Sequence, residues 1–238
     1  MWRCRIQDSA LGTRWPRKPV RGERCSIFHR RIPGNLLLAG SLSLAILSSV
    51  NAEDRMPPIP LEKMTDLQKK HAEEIINGPR GALYGPFLPL IRSPELMDRA
   101  QRMGEYLRYH SAIGNKLSEL VILIVSRRWT QQFEWDTHEP IALKVGISPE
   151  TVQAIREGRK PAQLTGDEQI VYDVTTELDA TKDLSDATYE RAVERFGEQG
   201  VIDMVGIQGY YTFLAMIMNA AHTTVTDPKT APLEPLGK

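Results

Sequence analysis

Cysteine is nearly absent from this chain: its 238 residues hold two, Cys4 and Cys25, and none follows. The remainder is thiol-free. That excludes a disulfide, a thiolate nucleophile, a C-x-x-C redox pair and a Cys-ligated metal from most of the protein. A dominant charge is missing too, because 30 basic and 30 acidic residues cancel. Without a basic field, nucleic acid is not an expected partner. There is no phosphate loop, no G-x-G-x-x-G, no G-x-S-x-G and no H-E-x-x-H, so neither a metal nor a cofactor is expected. No stretch after residue 52 reads as a membrane span. Alternating strand patterns are scarce.

What is present divides the chain unevenly. Residues 1–35 carry eight Arg and one Lys against Asp8 and Glu23, a net of +7. Residues 36–52 are uncharged, and Leu36–Val50 has the length of a signal-peptide apolar region. Val50-Asn51-Ala52 places small residues at −3 and −1 of a cleavage site. Residues 1–52 are therefore expected to be an export segment, the mature protein being periplasmic or secreted. Without that export the protein would be cytoplasmic. The 186 residues that follow suffice for one well-buried domain.

Helix punctuation is dense in that remainder. Thr65-Asp66-Leu67-Gln68 and Thr165-Gly166-Asp167-Glu168 read as capping boxes. Ser93-Pro94-Glu95 and Ser148-Pro149-Glu150 each pair a capping serine with a first-turn proline and acid. Residues 78–92, with three Gly and three Pro, predict an irregular loop. Lys116–Arg128 predicts a helix apolar nearly all round, the mark of a central element. A further helix follows Thr130, with Gly146 as its stop. Ser185 caps another, and Gly200–Ala221 is the most apolar stretch after residue 52. The fold class is all-α, with a helical domain over 53–225 and a Pro-rich tail over 226–238.

The chemistry concentrates in Gln131-Gln132-Phe133-Glu134-Trp135-Asp136-Thr137-His138. On a helix, Glu134 and His138 share a face one turn apart. Glu119 lies on the preceding helix, and a short link makes two helices pack antiparallel. Both acids and the imidazole can then converge, an arrangement suited to proton transfer near neutrality. The plainer alternative is a surface i,i+4 pair of little energetic consequence. Arg127 and Arg128 are candidates to clamp a substrate carboxylate, although cations at a helix C-terminus also suit its dipole. Trp135 and Tyr210 are further candidates for the substrate pocket. Tyr211 and His222 could reach it too, with core packing the competing explanation for the tyrosines.

At these residues the sequence resembles the carboxymuconolactone decarboxylase family, which includes the alkylhydroperoxidase-like proteins. The matching stretches are Leu117–Leu123, Phe133–His138 and Ala142–Ser148, within a resemblance read over residues 90–225. Glu119 precedes His138 by nineteen residues, as the family pattern requires. The resemblance implies an all-α alkylhydroperoxidase-like domain built around an antiparallel helical hairpin and assembled as homotrimers or homohexamers. In the peroxide-reducing branch a C-x-x-C pair precedes the histidine. Gln131 and Glu134 occupy those positions here, which places the chain with the cysteine-free decarboxylases. The implied activity is a cofactor-independent carboxy-lyase with Glu119, Glu134 and His138 as catalytic groups and a small carboxylate as substrate. A non-catalytic exported binding oligomer is the alternative. A peroxidase is the more distant one.

Overall fold

The computed structural model describes residues 53–225 and 229–236; the basic preface and apolar run expected to direct export lie outside the described residues. Among the described residues there are eight α-helices and no strand. They are α1 (Asp66–Asn77), α2 (Phe87–Leu90), α3 (Pro94–Tyr109), α4 (Gly114–Arg128), α5 (Gln132–Lys144), α6 (Pro149–Arg156), α7 (Gly166–Thr181) and α8 (Asp186–Ala221). The all-helical class is as expected, and the capping chemistry explains the boundaries. Both Thr65 and Thr165 close reciprocal capping boxes with Gln68 and Glu168. Ser148 and Ser185 cap α6 and α8 by accepting from the backbone three residues on. Ser93 occupies the capping position of α3, but its hydroxyl makes no capping bond, and Pro94 marks the start instead. The loop expected over 78–92 contains the single-turn helix α2.

Helix α4 is the axis of the domain. Every residue from Leu117 to Arg127 is buried, and α4 packs against α5, α7 and α8 most extensively, then α3 and α6. Its all-round apolar sequence thus meets neighbours on all sides. Each of Leu120, Val121, Ile122 and Leu123 is fully buried, and such side chains contribute roughly 1.5–3 kcal/mol apiece.

A tight turn joins α4 to α5. Thr130 adopts a left-handed conformation (φ 48°), Trp129 N–H donates to the Val125 carbonyl at 3.0 Å, and Gln131 N–H donates to Ser126 at 2.8 Å. Gln131 then caps α5 by accepting from Phe133 N–H at 2.8 Å. Its amide also donates to Asn219 at 2.7 Å, which ties the hairpin to α8. This turn fixes the antiparallel register on which the site depends.

Helix α8 is two helices in one. Gly197 breaks its helical geometry (φ 69°, ψ 171°), a conformation open to glycine at little cost. Contrary to the sequence expectation, α8 is long and apolar enough by length and composition to cross a bilayer. Half of its most apolar window is buried within the domain, where α3, α4 and α7 cover it. Residues 229–236 lie extended along the domain's own α5 and α6, with Leu233 buried.

Candidate functional site

The hairpin register sets His138 of α5 against Glu119 of α4. The imidazole Nδ1 and the Glu119 Oε2 are 2.7 Å apart, and both side chains are almost wholly buried. A carboxylate can only accept, so Nδ1–H donates and Nε2 is left free for other work. Among the described residues no group hydrogen-bonds Nε2. The ring of Tyr211 meets the imidazole edge-on, with centroids 5.1 Å apart, and Tyr210 packs on Tyr211 in the same fashion at 5.4 Å. This imidazole is therefore held on two sides, by a carboxylate and by an aromatic edge.

Glu134 is not the partner of His138, despite standing one turn before it. Its carboxyl is buried without a hydrogen bond of good geometry. Burial pushes its pKa well above the ordinary carboxylate range, against a weaker opposing influence of Ser126. Burial thus favours the protonated form of Glu134, while the Glu119 carboxyl is the one that orients the histidine.

These groups border a cavity of about 30 Å³ lined by Arg80, Tyr84, Arg108, Phe133, Glu134, Thr137, His138 and Tyr211, among others. That volume holds a water or two, since one water requires about 10–15 Å³. Burial lowers the pKa of Arg108, but Tyr211, Tyr109, Glu119 and Tyr84 outweigh it, and the net shift is upward. Burial likewise raises the Tyr211 hydroxyl well above its usual range and Tyr210 to about 12. Both phenols are protonated donors at neutral pH.

The expected substrate-binding residues are placed differently. Arg127 is buried and fully engaged elsewhere. Its Nε donates to the Arg156 carbonyl at 2.6 Å, its Nη2 to the Glu234 carbonyl at 2.6 Å and its Nη1 to Thr130 at 3.3 Å. Arg128 forms an ion pair with Asp179 on α7. Trp135 is a fully buried core residue beneath the Arg156 guanidinium. All three point away from the cavity because they occupy helix faces other than that of His138. Tyr210 stands behind Tyr211 without lining the cavity. His222 caps α8 and borders a separate surface hollow with Gln131 and Asn219.

The guanidiniums that do line the cavity are Arg80 and Arg108. Arg80 lies in the Gly78-Pro79-Arg80-Gly81 loop, and a charged residue in a Gly/Pro-rich loop is a usable functional signal. Arg108 in the last turn of α3 has a ready dipole explanation that masks it.

Comparison with known proteins bears on this hairpin directly. Residues 94–177 match the carboxymuconolactone decarboxylase family. A domain of that family is thus present over part of the chain, from α3 to most of α7, and it includes Glu119, Glu134 and His138. No curated protein matches the chain. Arg80, Tyr84 and Tyr211 lie outside the matched residues. The carboxymuconolactone decarboxylase match therefore covers the α4–α5 hairpin but only part of the cavity wall.

Proposed function

We propose that the chain is a cofactor-independent carboxy-lyase acting on a small carboxylated, lactone-like substrate. The observation that carries this reading is the buried hydrogen bond between His138 Nδ1 and Glu119, which leaves Nε2 beside the cavity. The family match over 94–177 supports the same class.

In this mechanism the bond between the substrate's ring carbon and its carboxylate breaks, and CO2 departs. The electron pair moves onto the lactone carbonyl as an enolate. Charged His138, paired with Glu119, stabilises that oxygen and then delivers its Nε2 proton to carbon, recovering one from water. Glu134, kept neutral by burial, is a second proton source within the cavity wall. A ring does not fit within about 30 Å³, so the cavity has to widen on substrate entry while Arg80 and Arg108 stay in its wall. Assembly as a homotrimer or homohexamer, and export directed by residues 1–52, belong to the proposal.

The test is CO2 release from a panel of γ-carboxylated unsaturated lactones. We expect turnover that falls at least about a hundredfold in His138→Gln, the scale for losing a general acid. Absence of turnover across the panel, or a His138→Gln protein as active as the original, overturns the lyase reading.

A further inference from the structure

We infer that Arg80 and Arg108 form the carboxylate-binding subsite of this cavity, taking the role that the sequence offered to Arg127 and Arg128. The inference rests on the reading of the cavity as a substrate site. Both guanidiniums line it, one from the loop after α1 and one from the end of α3. Neither forms an ion pair or a hydrogen bond of good geometry with any described residue, although Arg80 stands close enough to the Tyr210 hydroxyl to oppose the upward effect of burial on its pKa. Arg80 is fixed over the Phe87 ring, 4.7 Å from its centroid, with Nε and Nη2 both buried and unpaired.

Buried N–H groups without acceptors are costly, more so when the group is charged. The cost is relieved by an acceptor with two oxygens, which matches the guanidinium fork. Charge balance points the same way. Two guanidiniums line the cavity, and the neighbouring Glu119 carboxyl is already engaged by His138. Glu134 adds no negative charge while it is protonated. The cavity is therefore electropositive and short of acceptors, and an anion supplies both. Because Arg80 lies before residue 94, this half of the subsite is not part of the matched family segment. It lies in the loop after α1, where Gly81 takes a positive φ of 72° directly after Arg80.

The subsite favours a carboxylate presented beside His138, so that one end of the ligand is anchored while the imidazole meets the other. The experiment is a calorimetric titration of the full chain with succinate, and with its uncharged counterpart succinamide. We expect saturable succinate binding, no comparable succinamide binding, and at least about a tenfold loss of affinity in Arg80→Gln and in Arg108→Gln, the scale of one charge-assisted hydrogen bond. Melting curves establish that each variant folds. If Arg80→Gln does not, Arg80→Lys replaces it, keeping the charge while losing the fork. Affinity within about twofold of the original in these variants, or succinamide binding as tight as succinate, overturns the inference; so does a wild-type chain that binds neither.

His138→Gln separates the two readings. It should lose turnover, and the succinate affinity it keeps should still fall at least about tenfold when Arg80→Gln is added. Arginine-dependent binding without decarboxylation of any lactone overturns the lyase and leaves the subsite standing. Decarboxylation that is indifferent to both arginines does the reverse.

Discussion

Glu119 and Glu134 stand on the two helices of one hairpin, and their surroundings differ. Glu119 has an imidazole N–H at 2.7 Å; Glu134 has no such partner, and desolvation holds its proton on. The sign of the consequence for stability is fixed. Above about pH 4 an unfolded glutamate is ionised, while the folded chain keeps Glu134 protonated. The native state then binds more protons than the unfolded one, so stability falls as pH rises until Glu134 ionises in place. Glu134→Gln removes that slope while preserving shape. Urea melts between pH 4 and pH 8 should show the variant gaining on the original as pH rises, by at most about 1.4 kcal/mol per pH unit. A difference that stays flat across this range would mean that Glu134 is ionised in the folded protein.

At the level of elements, α3 and α8 cross where a glycine admits a tyrosine. A Cβ on Gly104 would collide with the Tyr210 hydroxyl and ring, whereas a Cβ on Gly209 would meet nothing within 4 Å. Both glycines are helical, so alanine gains up to about 1 kcal/mol of helix propensity at either. At Gly104 overpacking costs about 1–3 kcal/mol and wins; at Gly209 nothing opposes the gain. Thermal melts should therefore show Gly104→Ala destabilised and Gly209→Ala stabilised. Equal shifts would mean that Tyr210 yields freely. Contacts of this kind show how far the sequence could be read. Capping boxes and apolar periodicity mark where most helices start and stop, because those are local effects. The approach of His138 to Glu119 was legible because a three-residue link leaves two helices few ways to pack. Arg80 and Arg108 were not, since whether a cation lines a cavity depends on which faces meet between elements distant in sequence. Arg127 and Arg128 were misplaced for the same reason: proximity along the chain put them near the hairpin, and helix rotation turned them towards Arg156 and Asp179.

For the molecule as a whole, the closing segment 229–236 completes groups that the helical domain leaves open. Arg127 Nη2 donates to the Glu234 carbonyl at 2.6 Å, and the Leu233 N–H donates to Gln132 Oε1 at 2.7 Å. Arg156 reaches the Ala231 carbonyl, Thr230 bonds to Asp136, and Leu233 is buried. Ordering the segment costs backbone entropy of about 1–2 kcal/mol per residue, which cancels much of this gain. What remains after deletion is an Arg127 guanidinium that has lost a charge-assisted acceptor, at a cost of about 1–3 kcal/mol. For a domain of this size, that corresponds to roughly 2–4 °C of melting temperature per kcal/mol. A chain ending at residue 228 should therefore fold and melt several degrees lower. Arg127→Met in that shortened chain should recover part of the loss, because it removes the stranded charge and keeps the volume. Succinate affinity should be unaffected, since none of the segment's partners lines the Arg80–Arg108 cavity. An unchanged melting temperature on deletion would show that ordering the segment costs as much as its contacts return. A loss that Arg127→Met leaves untouched would trace the effect to Leu233 burial instead.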